Sequence, residues 1–533
     1  MGKGDNLIGL RTTDGTKDLC ITHALLIVTA LWALFFLTGT FQLPLMHKDE
    51  PRYAAVAEEM FDSGDFITPS LEHKPWFEKP PLVYWLMVLS YSVFGVSGWA
   101  SRLPSLVVTL ATLLLLFQFA RKAYGTGAGV LAVAICSTFV HFWVMGRAVA
   151  PDMSLVLFEM ATLYFMFYGI EEQKRPYIYL GHLCMGLAFL AKGPVGVIIP
   201  LGILFLYQLL RGTFIPAVKA VGNPLGVMLF SLVGLPWYLI MIKLHGYAFV
   251  KEFLLVQNVY RFTGVTHQHT FKAYYYLPIF LGSLYIWTPF FPEFCKRIKE
   301  MVRQRSTELF FLIWVAFPLL FFSVSVNKLH NYILIVYPAV ALLLARTLIM
   351  IKSLGAPVKR SLLVLVVLEL SAILLALSRF SNHRQALIAG GFLMLMMSAA
   401  VLLAGVTVKR AVSLLMVKGF MLLIVVLAFL RPYGKELEKA YSSVNMERAS
   451  DNTTVLFYKE PRYDFWFYSD SFFPTIKSRG ELDRLIETHK EIVLIIKSEY
   501  RQSMHLPDER LLTSFNDLED QKWEVIEIGG GKI

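Results

Sequence analysis

The sequence predicts an α-helical polytopic membrane protein that carries a small α/β domain at its carboxyl end. Of its 533 residues, 56% are hydrophobic and only 17% are charged, and the mean hydropathy is +0.56. A soluble protein of this size would carry more charge. Apolar runs that approach the roughly 20 residues needed to cross a bilayer recur along the first part of the chain. We therefore expect a membrane domain over 1–430 and a separate domain over 431–533.

The net charge of +11 does not indicate nucleic-acid binding. Its Lys and Arg residues fall in short clusters between apolar runs, as in the cytoplasmic loops of membrane proteins. The four cysteines (Cys20, Cys136, Cys184 and Cys295) have no pairing rhythm or metal-ligand spacing. We expect them to be small core residues. Membrane lipids are expected partners of the protein as a whole.

The basic clusters also predict the topology. Clusters on the same side of the membrane must be separated by an even number of spans, and basic loops belong inside. About thirteen spans satisfy this rule, at 21–43, 101–120, 126–146, 153–170, 176–191, 194–210, 224–243, 274–294, 309–326, 332–351, 361–379, 385–407 and 411–430. The first is too long for a signal peptide, so we expect it to be retained. The carboxyl terminus is then external, on the periplasmic side in a bacterium.

The first external loop, from Lys48 to Pro80 and onward, is expected to contain two interfacial helices. The apolar stretch Pro81 to Val96 would invert every later loop if it crossed the membrane, and its aromatic start suits the headgroup region. The stretch Pro51 to Met60 begins with proline, which is tolerated in the first turn of a helix. We therefore expect both stretches to lie at the membrane surface.

The region 431–533 has the pattern of a small α/β domain. Strands are predicted near Thr454 to Tyr458, Glu491 to Ile496 and Trp523 to Ile528, and a helix at Glu481 to His489. The region contains no glycine-rich phosphate loop and no nucleophile elbow. Its sequence therefore indicates no chemistry of its own.

In this topology, nearly every unusual polar side chain lies on the external side. These residues are Asp49, Glu50, Arg52, Glu78, Lys79, Arg147, Asp152, Lys192, Asn258, Arg261, His267, His269, Lys328, His330 and Asn331. Asp49 and Asp152 follow different spans, so their carboxylates could converge on one cavity. A cavity of acids and fixed cations beside lipid suits an anionic lipid with a polar head, such as a polyprenyl-phosphate sugar. There an Asp could stabilise an oxocarbenium-like centre or accept a proton, while Lys and Arg stabilise the departing phosphate.

Simpler structural roles remain open for several of these groups. Asp49 and Asp152 could only cap helices. Lys79 could extend to a lipid headgroup, and Lys328 could be an interfacial anchor. His267 and His269 have poor spacing for a metal and are expected to be solvated loop residues.

Six segments resemble, in order, motifs of a known family. They are Asp49-Glu-Pro-Arg-Tyr, Phe77-Glu-Lys-Pro-Pro-Leu-Val-Tyr-Trp, Arg147 to Asp152-Met-Ser, Ala191-Lys-Gly-Pro, Asn258-Val-Tyr-Arg-Phe and Asn327-Lys-Leu-His-Asn-Tyr. The resemblance is to the bacterial lipid A aminoarabinose transferases, in the C-type membrane glycosyltransferase superfamily that also includes the protein O-mannosyltransferases. It covers roughly residues 20 to 350.

The resemblance implies roles for particular residues. Asp49 matches the catalytic Asp of the family and Asp152 its second acid. Lys79, Arg261 and Tyr332 match the groups that hold the lipid phosphate. The remaining expected binding residues for the donor phosphate and substrate are Arg52, Glu78, Asn258 and Lys328.

The resemblance leaves the sugar and any metal open. Many relatives have Pro where this chain has His330, and His where it has Gln257-Asn258. No cofactor is expected to be required, although Glu78 matches a carboxylate at which a divalent metal could bind.

We therefore expect an inner-membrane glycosyltransferase that moves 4-amino-4-deoxy-L-arabinose from undecaprenyl phosphate to lipid A on the external face. The alternative in the same class transfers a hexose or uronic acid to lipopolysaccharide core, another glycan or protein. The alternative from another class is a transporter or flippase of lipid-linked sugars, which would be expected to carry polar groups at mid-membrane and inverted repeats.

Overall fold

A computed structural model of the chain describes residues 14–46, 49–264, 272–304, 307–351, 353–379, 391, 395–396, 398–399, 407–448, 453–469, 471, 473–488, 491–504, 506, 509–517 and 521–529. Over these ranges the chain is mainly helical, with one larger sheet near its carboxyl end. The expectation of a mainly helical membrane fold is confirmed.

The amino-terminal half of the membrane domain contains twelve described α-helices, two of which, α2 and α3, begin within the first two motifs. They are α1 Asp14–Trp32, α2 Asp49–Ser63, α3 Leu82–Phe94, α4 Gly98–Tyr124, α5 Thr126–Ser137, α6 Val140–Met145, α7 Asp152–Glu171, α8 Arg175–Lys192, α9 Val195–Arg211, α10 Phe214–Val221, α11 Pro224–Gly234 and α12 Pro236–Phe249. A π-helical segment, Val250–Tyr260, continues α12 into the short helix α13, Arg261–Thr263.

The second half of the membrane domain contains α14 Tyr276–Ser283, α15 Phe291–Gln304, α16 Thr307–Val324, α17 Val336–Met350, α18 Ala356–Arg379 and α19 Val408–Arg448. Aromatic rings join the two halves. The ring of Phe119 on α4 lies 5.0 Å from that of Tyr164 on α7 and 5.8 Å from that of Trp314 on α16, measured between centroids. Burial of such large rings is a major source of stability.

Five described helices are long and apolar enough to cross a bilayer alone: Cys20–Gln42, Gly98–Tyr124, Asp152–Glu171, Thr307–Val324 and Val408–Met446. A sixth span results if the pair Phe214–Val221 and Pro224–Gly234, bent by 51°, crosses as one. Shorter apolar helices lie between them. The chain is thus a multi-pass membrane protein. The count of about thirteen spans stays a prediction, and the predicted span 385–407 lies almost wholly outside the described residues.

The segment that we predict to be the first external loop contains two helices, α2 and α3, near the predicted positions. It also contains the hairpin Ser70–Leu71 (β1) with Lys74–Pro75 (β2). The helix α3 has 13 residues, which corresponds to about 20 Å. That length is too short for a hydrocarbon core of about 30 Å. It is in keeping with the prediction that this segment does not span.

A buried ion pair fixes the start of α2. The Glu50 carboxylate accepts hydrogen bonds from Arg102 Nε and Nη2, at 3.1 and 2.8 Å. It also accepts from the backbone N–H groups of Met46 and Val149, at 2.9 and 3.0 Å. Burial acts to raise the pKa of Glu50, but Arg102 and the two N–H groups outweigh it, and the pKa lies below its ordinary value. These bonds tie α2 to α4 and to the loop before α7.

The carboxyl-terminal region forms a mixed sheet. Its strands are β3 Thr453–Tyr458, β4 Thr475–Ile476, β5 Glu491–Lys497, β6 Glu509–Asn516 and β7 Lys522–Ile528, with helices α20 Tyr463–Ser469, α21 Arg479–Thr488 and α22 Ser498–Gln502. The strand order is β4-β3-β5-β7-β6. The strand β3 is parallel to β4 and β5, while β7 is antiparallel to β5 and β6.

This sheet region packs against the segment that contains α2. The Tyr468 hydroxyl on α20 accepts a 2.6 Å hydrogen bond from the Leu45 N–H, and α20 packs against α2. The long helix α19 leads into the region without a break, from an apolar first half to a charged second half. The sheet therefore lies on the same side of the membrane domain as the motif at Asp49.

Candidate active site

One amphipathic cavity of about 680 Å³ lies where α2, α7, α9 and the π-helical segment meet. Its polar lining residues are Asp49, Arg52, Glu78, Lys79, Asp152, Glu159, Lys192, Gln257, Asn258, Arg261, Asn331 and Tyr332. Its apolar wall includes Leu155, Val156, Val195, Ile198, Ile199, Phe321, Phe322, Leu334 and Ile335. Every predicted site residue except Lys328 thus lines the cavity.

The first turn of α2 supplies an acid and a cation. Arg52 Nη2 donates a 2.6 Å hydrogen bond to Asp49 Oδ1 and lies 3.9 Å from Glu78 Oε2. The guanidinium also lies 5.5 Å from the centroid of the Trp76 ring. The side chain of Asp49 is 43% exposed, so its carboxylate remains accessible from the cavity although it is paired.

Lys79 is surrounded by other cations. Its Nζ donates a 3.3 Å hydrogen bond to the backbone carbonyl of Glu78. Withdrawal from water lowers its pKa, the Glu78 carboxylate opposes that effect, and Arg261, Lys192 and Arg52 add to it, so the pKa falls to about 8. An anion bound beside Lys79 would offset the repulsion that these cations exert on its ammonium group.

The motif at Ala191 brings a further lysine to the site. Lys192 Nζ lies 2.5 Å from Asp152 Oδ1 and 5.1 Å from the centroid of the Tyr332 ring. The next residue, Gly193, ends α8 with φ +73°, and a Cβ there would lie 2.8 Å from Phe253 Cζ. Only glycine adopts this conformation easily. The motif therefore positions Lys192 between Asp152 and Tyr332.

The π-helical segment presents amide and guanidinium groups. Arg261 Nη1 donates to Gln257 Oε1 at 3.1 Å, while Asn258 Nδ2 donates to the carbonyl of Phe253 at 2.6 Å. The Arg261 carbonyl accepts a 2.8 Å hydrogen bond from Asn327 Nδ2, which links this segment to the motif ending at Tyr332. Departures from α-helical geometry to π-helical geometry often occur at functional sites.

Lys328 and His330 lie outside the cavity lining. The Lys328 side chain is buried and its Nζ donates to the carbonyl of Ser325. His330 Nδ1 lies 3.1 Å from His141 Nε2, and His141 Nδ1 lies 2.9 Å from the Tyr337 hydroxyl. The structure thus gives His330 a histidine partner.

The resemblance also suggested that a divalent metal could bind at Glu78. Over the described ranges, no three His, Cys, Asp or Glu side chains are grouped as metal ligands, and the neighbours of Glu78 are the cations Arg52 and Lys79. These residues do not fit a metal site. The histidines His267 and His269 lie in 265–271, outside the described residues.

Two charged residues that line the cavity, Lys192 and Glu159, are not among the site residues predicted from the sequence. Lys192 was recognised as external and polar but was not assigned to the site, although its place in the Ala191 motif was a usable signal. Glu159 is a single acid within an apolar run. Its only signal was the seven-residue spacing from Asp152, which places both on one face of a helix.

The fold and the site together define an integral membrane protein with a charged cavity that is continuous with an apolar wall. A family model described as dolichyl-phosphate-mannose-protein mannosyltransferase matches residues 78–238. An uncharacterized protein of Aquifex aeolicus is 35% identical over 320 residues, which cover 60% of this chain and 72% of that protein. The undecaprenyl phosphate-alpha-4-amino-4-deoxy-L-arabinose arabinosyl transferase 2 of Proteus mirabilis is 31% identical over 327 residues.

The crystal structure of ArnT from Cupriavidus metallidurans bound to undecaprenyl phosphate has the same fold, with a TM-score of 0.76, 20% identity and coverage of 97% of this chain and 98% of that one. This chain belongs to one family with the Aquifex aeolicus protein. It is similar in sequence to the Proteus mirabilis transferase and similar in fold to ArnT. The alignment with the Proteus mirabilis enzyme spans 58% of that enzyme's length.

Proposed function

We propose that this chain is a glycosyltransferase that uses a polyprenyl-phosphate sugar as donor. The observation that carries the proposal is the convergence of Asp49 and Asp152 with four cations in one cavity that also has an apolar wall. The cations are Arg52, Lys79, Lys192 and Arg261. An anionic headgroup that is attached to a hydrocarbon chain is complementary to both parts of that cavity.

In the proposed complex, the donor phosphate lies between Lys79 and Arg261, with the Tyr332 hydroxyl as a further donor. The apolar wall takes the first isoprene units, and its residue Ile198, which is 45% exposed, marks the side from which the chain could enter from lipid. Hydrogen bonds from cations to a phosphate in a water-poor site are stronger than neutral ones. Such preorganised charges stabilise the leaving phosphate more in the transition state than in the ground state.

The chemical step that we propose is a displacement at the anomeric carbon. An acceptor oxygen forms a bond to that carbon, the bond to the lipid-phosphate oxygen breaks, and the electron pair leaves with the phosphate. Asp49 is accessible and would stabilise the positive charge at carbon or accept a proton from the acceptor. Asp152 would hold Lys192 at the site through their 2.5 Å contact.

The sugar and the acceptor are proposed from the relatives. Several similar proteins, at 29 to 31% identity, carry the name undecaprenyl phosphate-alpha-4-amino-4-deoxy-L-arabinose arabinosyl transferase. We therefore propose transfer of 4-amino-4-deoxy-L-arabinose from undecaprenyl phosphate to a lipid A phosphate. The added amine would lower the negative charge of lipid A and weaken binding of cationic polymyxins. The proposed location is the periplasmic face of the inner membrane, from the distribution of basic loops.

Mass spectrometry of lipid A tests this proposal. Cells that express the chain should contain lipid A with one added aminoarabinose residue, and cells that lack it, or that carry Asp49→Asn, should not. A modified lipopolysaccharide core, glycan or protein with unmodified lipid A would indicate the alternative acceptor. Wild-type lipid A modification in the Asp49→Asn strain would contradict the proposed site.

A further inference from the structure

One buried acid of the cavity has no role in the mechanism proposed above. Glu159 on α7 is 1% exposed, lines the cavity, and neither of its carboxyl oxygens has a hydrogen-bond partner among the described residues. It follows Asp152 by seven residues on the same helix face, which corresponds to about 10 Å along the axis. An unpaired carboxyl group therefore lines the cavity about 10 Å along α7 from Asp152.

Other buried acids in the described part of the chain are paired. Glu50 binds Arg102, Asp152 binds Lys192, and Glu524 binds Arg501. Burial of a polar group without a partner costs free energy. A carboxyl group that is left unsatisfied in the wall of a cavity is therefore best explained by a partner that arrives with the ligand.

The cation that acts electrostatically on Glu159 is already paired with another acid. Lys192 interacts electrostatically with Glu159, but its Nζ is bound to Asp152 at 2.5 Å. The ligand of Glu159 must then bring its own hydrogen-bond donor. Because charge-assisted hydrogen bonds are stronger than neutral ones, a primary ammonium group is the complementary partner for this carboxyl group in the cavity lining.

We infer that Glu159 binds the amino group of the transferred sugar and so determines donor specificity. The inference rests on the proposed function. With the phosphate at the cations and the isoprenes on the apolar wall, the sugar is the part of the donor that carries hydrogen-bond donors into the cavity. Glu159 thereby favours an amino sugar over a neutral sugar of the same shape.

The test compares two donors with purified protein and lipid A as acceptor. The first is undecaprenyl phosphate carrying 4-amino-4-deoxy-arabinose, and the second carries arabinose, with a hydroxyl in place of the amine. The wild-type protein should prefer the amino donor in kcat/KM by about tenfold or more, and Glu159→Gln should lose about 10-fold to 100-fold with that donor and less than about twofold with the other. The matched control is Thr162→Val, which removes a buried hydroxyl from the same helix outside the cavity lining.

Equal losses with both donors would overturn the inference, because they would assign Glu159 a structural role. No donor preference in the wild-type protein would overturn it too, whatever the variants do and even if Glu159→Gln does not fold. Absence of turnover with either donor in the wild-type protein would instead contradict the proposed function. The two failures are therefore distinguishable.

Discussion

Removal of the Lys79 ammonium should weaken donor binding while leaving the fold intact. Burial lowers the pKa of Lys79, and the neighbouring cations Arg261, Lys192 and Arg52 lower it further. A bound phosphate would relieve that repulsion and accept a charge-assisted hydrogen bond worth about 1.5 to 3 kcal/mol. The dissociation constant of undecaprenyl phosphate should therefore rise about 10-fold to 150-fold in Lys79→Ala.

Native mass spectrometry of the purified protein with undecaprenyl phosphate measures that constant directly. The matched control is Lys359→Ala at an exposed position of α18, where the dissociation constant should be unchanged. The same constant in the two variants would refute the assignment of Lys79 to the phosphate. A loss in Lys79→Ala that is also found with a neutral polyprenol would show that the hydrocarbon chain, rather than the phosphate, was affected.

Three further results are expected. Because the pKa of Lys79 is lowered to about 8, its charge is lost as the pH rises through that value, and kcat/KM for the donor should fall there. The variant Lys79→Arg should keep its activity to higher pH. The same decline in both proteins would contradict this reasoning. Glu50→Ala removes the carboxylate that pairs with the buried Arg102 and should lower the free energy of unfolding by about 3 to 5 kcal/mol. The midpoint of thermal denaturation in detergent should therefore fall. An unchanged midpoint would show that the ion pair is dispensable. Single cysteines can be placed at the exposed positions Ser63, Ser353 and Ser503 in a protein without native cysteines. Those at Ser63 and Ser503 should react with an impermeant maleimide in cells with a permeabilised outer membrane, but the one at Ser353 should not. A result that places Ser63 and Ser503 on opposite sides of the membrane would require a new topology.

Much of the site was predictable because its residues occur in short motifs at helix starts and loops. Asp49 and Arg52 share one helical turn, and their 2.6 Å contact follows from the three-residue spacing. The convergence of that turn with Lys79, Asp152 and Arg261 was an inference from one-sided topology, and the cavity brings these residues together.

Other features depend on tertiary contacts that no local pattern reveals. Glu50 and Asp49 are adjacent acids in one motif, yet only Glu50 is bound to the buried Arg102, 52 residues away in the sequence. Similarly, Lys328 lies in a segment that resembles a family motif, but its ammonium group donates a hydrogen bond to the carbonyl of Ser325. Which of two neighbouring polar groups faces the cavity depends on the packing of distant helices.

In the carboxyl-terminal region, too, the sequence pattern predicts individual strands but not the long-range contacts between them. Alternating and apolar runs indicated strands close to β3, β5 and β7, since those strands are buried over most of their length. The exposed edge strand β6, Glu509–Asn516, has a mixed pattern and was not expected. The strand order, with β7 inserted between β5 and β6, depends on long-range pairing that the sequence pattern does not encode.

The central claim is that Asp49 takes part in sugar transfer from a polyprenyl-phosphate donor, and one reconstituted reaction tests it most directly. Purified wild-type protein, Asp49→Asn and the control Asp62→Asn, an exposed acid of the same helix, would each be incubated with undecaprenyl-phosphate aminoarabinose and lipid A. We predict that the wild type and Asp62→Asn produce aminoarabinosyl lipid A at similar rates, and that Asp49→Asn binds the donor but is at least about 100-fold slower. A wild-type rate in Asp49→Asn would contradict the account.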